Sequence, residues 1–437
     1  MKTNTVVASI FCSVVLASTS LFVSCNKTHN PILNDIKLNE AKTTVAQLPT
    51  EDVVINEFAP AFEKAYQAYS LVPKGVLEAI AFTNTQFENI VPEAEVQGCT
   101  ERPATYGIMG LVLDGKNYFR NNLTLVAAEA NTTVTALLQT PENQLLGYAK
   151  AYTAIKQQLN ITSNAPEAQI PVLVALSELP NETTDLTQNY ALAAHIYAVL
   201  SFLNNTSNQI NYNFTCPPVD MIRVFGASNY SVLSASYITL GTKNITTAGG
   251  VNFRGGNGGI NGALSSNYGP AILNLAASCN YNKRTKSATA VVIHVTQGSY
   301  ASAISWFKNC NSGVSAHYVI RSFDGQITQM VSESNKAWHV GINNGFTIGI
   351  EHEGFVNKAS WFTNNMYGSS ALLVRDICGS GYGITKASCY GGSSCGGGSN
   401  ACGLSGTFKI KGHQHYPNQS HTDPGINWNW AKYKALI

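Results

Sequence analysis

The 437-residue sequence predicts a mostly α-helical N-terminal half followed by a C-terminal α/β domain, a central mixed β-sheet flanked by helices. Three observations predict it. Up to about residue 220, apolar residues recur at helical spacing. After about 265, short β-branched runs alternate with helical ones, as in a sheet covered on both sides. Between them, residues 221–265 shift to Gly, Asn, Ser and Thr and end in "GGVNFRGGNGGINGALSSN". Such a composition buries too little apolar area to hold itself rigid, so it reads as a linker.

In the helical half, residues 51–220, "FAPAFEKAYQAYS" places Phe58, Phe62, Ala65, Tyr66 and Tyr69 on one face, and "LTQNYALAAHIYAVLSFL" repeats the theme. His195 sits on that second apolar helix, where a histidine is expected to be a hydrogen-bonded core residue rather than a ligand. In the C-terminal domain, residues 266–437, "ATAVVIHVT" suits a buried strand and "ASAISWFKN" a helix. "AHYVIRSFDGQITQMV" gives two alternating runs around an Asp-Gly turn, "FTIGIEHEG" another strand, and "NMYGSSALLVRDIC" a helix across one face.

A formal net charge of +2 offers no broad basic face, which excludes a nucleic-acid partner. The N-terminus, "MKTNTVVASIFCSVVLASTSLFVSC", pairs an early Lys2 with an apolar run and a small residue, the layout of a secretory signal over 1–24. Its ending also resembles a bacterial lipobox, although Phe22 departs from the pattern. That resemblance implies a lipid on Cys25, a tether over 25–50 and attachment to a membrane of the cell envelope. A plain cleavable signal, leading to secretion, and an uncleaved anchor helix are the alternatives. The run is short and diluted with Ser and Thr for a spanning helix. An exported chain suits the cysteine content: beyond Cys12 and Cys25, eight remain. Of these, Cys378, Cys389, Cys395 and Cys402 cluster around a Gly/Ser-rich loop without the C-x-x-C spacing of structural zinc, so disulfides are expected there, with three pairings open.

The chemistry concentrates in "GHQHYPNQSHTDPGINW", residues 412–428. A hydrolytic zinc site needs three nitrogen or oxygen ligands on rigid backbone and one open position for water. His294 ends a predicted buried strand, His413 follows the strand-like "KIKG", and Asp423 lies ten residues on, aimed by the Pro424-Gly425 turn. Together they suit an open Zn2+ site. In "TIGIEHEGF" the alternation puts Glu351 and Glu353 on one face and His352 on the other, and Glu351 is the candidate general base. His352 and His415 are expected to face solvent, His352 unless the sheet is covered there.

The segments "VVIHVT", "SAHYVIRSFDGQITQMV", "AWHVG", "TIGIEHEG" and "GHQHYPNQSHTDPGINW" resemble the type 2 family of zinc-dependent N-acetylmuramoyl-L-alanine amidases, within the peptidoglycan recognition protein superfamily. The resemblance implies that His294, His413 and Asp423 bind zinc and that Glu351 is the catalytic glutamate. His421 falls where many members carry a lysine that stabilises the transition state. His317 and His339 match family motifs without being ligands, and they and Trp338 either line a glycopeptide groove or simply pack. The implied substrate is peptidoglycan, cut between N-acetylmuramic acid and L-alanine. A competing reading is a recognition protein that keeps the groove without the metal. Retention of Asp423 argues for the enzyme.

More weakly, "YQAYSLVPKGVLEAIAFTNTQF" followed by "ATYGIMGLV" resembles the opening of lysozyme-like lytic transglycosylase domains. Where those carry a catalytic glutamate this chain has Asn84, then Thr85, and an amide cannot donate the proton that glycoside cleavage needs. The expectation is an inactive, glycan-holding or spacing domain, against a bifunctional amidase and glycosidase.

Overall fold

The computed structural model describes residues 53–92, 100, 102–180, 186, 189–240, 245–247, 251–253, 265–266, 270–271, 276 and 278–437. The segments expected to form an export signal and a tether, with Cys25, lie outside the described residues.

In the first half, helical spacing becomes α1 (Ala59–Ala68), which buries Phe62, Ala65 and Tyr66, and α2 (Val76–Thr85). The long α3 (Pro141–Gln158) begins where Thr140 accepts the Asn143 N–H and Pro141 occupies the first turn. α4 (Tyr190–Asn204), capped by Asn189, is apolar on every side and buried along most of its length. An all-round apolar helix needs a wall on each flank. α2 supplies one and α5 (Tyr300–Phe307), from the second half, supplies another.

The second half is built on a mixed sheet. In chain order its strands are β1 (Tyr237–Leu240), β2 (Ile245–Thr247), β3 (Asn252–Phe253), β4 (Ala290–Val295), β5 (Tyr318–Ile320), β6 (Ile327–Gln329), β7 (Thr347–His352) and β8 (Ile410–Gly412). Across the sheet they run β8, β4, β7, β5, β6, β1, β2, β3. The β8–β4, β4–β7 and β7–β5 pairs are parallel, and β5 turns back antiparallel to β6. β4 and β7 are buried on both faces, as parallel strands are. One face lies under α5 and the helical half; on the other, α6 (Asn364–Gly379) and α7 (Trp430–Leu436) close a second core around Trp428 and Trp430.

Two sequence expectations change here. The stretch expected as a linker carries regular structure: Met221–Phe225 and Ala227–Leu233 are helices, and β1 pairs in parallel with β6. A ladder needs only backbone groups, so poor apolar composition does not prevent it. The two halves, moreover, share one hydrophobic core running from Phe62 to Ala337. Polar bonds stitch the same seam. Tyr190 meets Tyr300 at 3.0 Å and donates to Gln326 at 2.7 Å, Trp306 Nε1 donates to the Thr100 carbonyl at 2.6 Å, and Lys358 pairs with Glu88 at 2.9 Å.

Two disulfides stand among the described residues, Cys279–Cys310 and Cys395–Cys402. The second lies in the Gly/Ser-rich loop, whereas Cys378 and Cys389 remain thiols. No helix among the described residues is long and apolar enough to cross a membrane.

Candidate metal centre and active site

His294 is the fifth of six buried residues in β4, so its ring is fixed by a strand held on both sides. β8 runs parallel to β4 with Gly412 opposite Ile293, and the chain then turns into the short 3-10 segment His413–His415. His413 thus arrives beside His294, ring centroids 4.9 Å apart. Asp423 returns on a turn clamped to this segment. Gln414 N–H donates to the Asp423 carbonyl and the Gln414 side-chain oxygen accepts the Gly425 N–H, each at 2.9 Å. Glycine is required at 412, where a Cβ would stand 2.3 Å from Pro424.

The three side chains converge as the sequence predicts. Asp423 Oδ2 lies 2.9 Å from His294 Nδ1 and Asp423 Oδ1 lies 3.3 Å from His413 Nδ1. One donor atom from each falls within 4.8 Å of the others, and all three residues are buried. His413 Nδ1 and Asp423 Oδ1 make no hydrogen bond, although buried polar atoms nearly always do. Two imidazoles and a carboxylate form a donor set able to take a divalent metal ion. Burial lowers the His294 pKa to about 4, keeping the ring neutral. Burial alone would push the Asp423 carboxyl up, but the neighbouring His413 and His294 rings outweigh it and hold it well below the usual range. Both groups therefore sit in the protonation states that bind metal.

Behind His294 stands a polar chain. His294 Nε2 lies 2.9 Å from His339 Nδ1, His339 Nε2 lies 3.2 Å from Thr347 Oγ1, and Thr347 donates to the Asn343 carbonyl at 2.9 Å. Followed back from that carbonyl, each link donates away from His294, so its proton sits on Nε2 and Nδ1 turns a lone pair toward Asp423. His339 reaches this position because Gly349 in β7 has no side chain; a Cβ there would lie 2.5 Å from His339 Nδ1. A glycine inside a buried strand signals such a close approach and was the available clue.

Glu351 is opposite His294 in the β7–β4 register and almost fully buried, which places both on one face of the sheet. Glu353, two residues on, is spent otherwise: its oxygens accept the Tyr300 and Ser322 N–H groups at 2.7 Å. His421 is half-buried and stacks on His413 with centroids 4.3 Å apart.

Of the residues expected to line a groove, Trp338 is partly exposed, with its Nε1–H on Asn282 at 2.8 Å. His317 takes the packing alternative. It is fully buried, its Nδ1 accepts the Gly349 N–H at 3.0 Å, and its Nε2 lies 3.0 Å from Arg284. His339 is buried as well and supports His294 instead. His352 and His415, expected to face solvent, are both buried. α6 covers His352, whose Nε2 lies 2.8 Å from Ser370 Oγ, while His415 Nδ1 accepts the Gly412 N–H at 3.0 Å.

A family model described as N-acetylmuramoyl-L-alanine amidase matches residues 284–426, which contain all three converging side chains and Glu351. The chain is 41% identical over 171 residues to N-acetylmuramoyl-L-alanine amidase A of Achromobacter lyticus, covering 39% of this chain and 94% of that protein. This chain belongs to the N-acetylmuramoyl-L-alanine amidase family. It is an amidase of peptidoglycan. It is also 30% identical over 132 residues to 1,6-anhydro-N-acetylmuramyl-L-alanine amidase AmpD of Citrobacter freundii, over 28% of this chain and 57% of that protein. A solved AmpD derivative is 24% identical, covering 36% of this chain and 90% of that one, with a TM-score of 0.27. The amidase LysCS of Clostridium intestinale is 22% identical, covering 38% and 91%, with a TM-score of 0.26. The matches to the two curated amidases leave most of the chain uncovered.

Proposed function

We propose that this amidase works with one zinc ion held by His294, His413 and Asp423, that Glu351 carries the proton, and that His421 steadies the negative charge of the transition state. The observation that carries the reading is the meeting of two buried imidazoles and a carboxylate, drawn from β4 and from the turns after β8, with two donor atoms lacking hydrogen bonds. When bound, zinc supplies a Lewis acid for the scissile carbonyl and acidifies the attacking water.

The chain's own groups complete the reaction. The His339–Thr347–Asn343 chain and the Gln414 clamp hold the ligands in place, so they need not reorganise during turnover. Glu351 takes the water proton as the oxygen bonds to the lactyl carbonyl carbon, then returns it to the alanine nitrogen as the C–N bond breaks. His421 donates toward the carbonyl oxygen, which gains charge at that moment. The products are a lactyl carboxylate on the glycan and a stem peptide with a free alanine amine. The test is purified peptidoglycan digested with and without a chelator and scored for new alanine amino groups. Loss on chelation and recovery with zinc support the reading; release that is indifferent to the chelator rejects it.

The protein is exported and carries a lipid on Cys25; incorporation of labelled fatty acid that persists in Cys25→Ser would refute this. The helical half is a lysozyme-like domain without glycosidase activity. Asn84 near the end of α2 is buried and its Nδ2 donates to the Met109 carbonyl at 3.0 Å, leaving no acid at that position. Reducing or anhydro sugar ends released from purified wall would count against an inactive domain.

A further inference from the structure

A cavity of about 200 Å³ lies on the seam between the two halves, lined from the helical side by Phe82, Gln86, His195 and Phe202 and from the amidase side by Arg321 and Trp361, among others. Three of its lining side chains are at least nine-tenths buried and each carries a polar atom with no hydrogen bond: Gln86 Oε1, His195 Nδ1 and Arg321 Nη1. His195 was expected to be a satisfied core residue. Leaving a buried polar atom without a hydrogen bond is costly, so three on residues lining one cavity mark a place built for something polar.

The backbone carries a second, independent mark. Gln86 and Phe87 follow one another at φ +50° and +63°. Non-glycine residues avoid this region, and consecutive ones persist only where the surroundings demand the conformation. Here it turns the chain out of α2 so that the Gln86 amide enters the seam, with its Nε2 on Ser322 Oγ at 3.3 Å and its oxygen left unpaired.

The groups define the chemistry of an occupant. Gln86 Oε1 can only accept and Arg321 Nη1 can only donate, while His195 Nδ1 takes either role. Arg321 is already matched by Asp324, whose oxygens receive its Nε and Nη2 at 2.8 and 2.6 Å, and the Glu353 carboxyl also lines the cavity. An anion would meet Gln86 and Glu353; a cation would meet Arg321. A neutral ligand with its own donors and acceptors fits, and Phe82, Phe202 and Trp361 offer faces for its C–H groups. The volume is below the ~300–1,000 Å³ of drug-sized sites, suiting one sugar ring. Peptidoglycan, the substrate of this family, contains one neutral unit of that kind, the N-acetylhexosamine of its glycan.

We infer that the seam cavity bounded by Gln86, His195 and Arg321 is a saccharide subsite that holds one uncharged N-acetylhexosamine of the wall glycan away from the amide being cut. The inference rests on the peptidoglycan reading for the choice of ligand. It differs from the lysozyme-like resemblance in needing amidase residues for half of the site.

The experiment titrates N-acetylglucosamine into the full-length protein by ligand-observed NMR, with glucose as a control lacking the amide. Two variants are compared. Gln86→Gly removes the amide and relieves the positive φ, so it keeps or raises thermal stability; Ala198→Leu fills the cavity from α4. Saturable binding by the wild type that is weakened at least about tenfold in both variants, with glucose weaker than N-acetylglucosamine, is expected. No binding by the wild type, meaning a cavity that holds water only, or equal binding by wild type and both folded variants, overturns the subsite. Wild-type turnover of a soluble muramoyl-peptide, measured alongside, reports on the amidase reading alone and separates its failure from that of the subsite.

Discussion

The two halves of this chain treat buried polar side chains in opposite ways. In the α/β half, the groups around His294 are held from behind: His339, Thr347 and Asn343 form one chain, and Gln414 ties the Asp423 turn to the His413 segment. Their unpaired atoms, on His413 and Asp423, point at each other. In the helical half, Asn84 donates to a neighbouring carbonyl, while Gln86 and His195, each with an unpaired atom, line a cavity. Burial alone therefore does not distinguish a reacting centre from a holding one. Convergence of ligating atoms with support behind them does.

The largest effect expected on that contrast is from Asp423→Ala, which removes an oxygen donor and leaves two imidazoles. Amide release should fall by roughly 10³-fold or more together with metal content; a variant with full metal and normal turnover would remove Asp423 from the site. Glu351→Gln should cost roughly 10²–10⁴ in turnover while metal stays bound, because only proton transfer is lost. Near-normal turnover would reassign that role.

Next comes the support. His339→Ala should weaken metal binding roughly ten- to hundredfold in chelator competition, with partial rescue by His339→Gln, which restores an acceptor. Unchanged affinity would make His339 a packing residue. His421→Lys should retain activity and flatten its pH profile near neutrality, since lysine stays charged there; a dead but folded variant would show that His421 does more than carry charge.

The smallest effect sharpens the helical side. Burial raises the Glu78 carboxyl to about 7, against the hydrogen bond from Tyr66. A carboxyl raised on folding stabilises the native state at low pH. That contribution is complete below about 4.5 and is lost as pH rises through about 7. Thermal melts should therefore show a loss of order 1–3 kcal/mol between pH 5 and 8 that is reduced in Glu78→Gln. An identical slope in the variant would place the loss elsewhere.

Much of the catalytic half is legible in the sequence because its signals are local. Six buried residues around His294 make a strand, and "HTDPG" makes a turn, so the three converging side chains can be named without coordinates. Whether His352 is covered stays open in the sequence for a different reason. Alternation says which side of a strand a residue takes, but not that α6 will cover that side. The shared core escaped because the α4–α5 packing joins residues about a hundred apart, and neither helix alone reveals its partner. The seam cavity was illegible for the same reason, since Gln86 and Arg321 meet only when the halves do.

The most direct test of the central claim is metal analysis of the purified full-length protein beside its His294→Ala, His413→Ala and Asp423→Ala variants, with amide release assayed on the same samples. One zinc per chain in the wild type, and parallel loss of zinc and activity in each folded variant, is the predicted result. Full zinc content in any of the three, or undiminished amide release from a metal-free wild type, would contradict it.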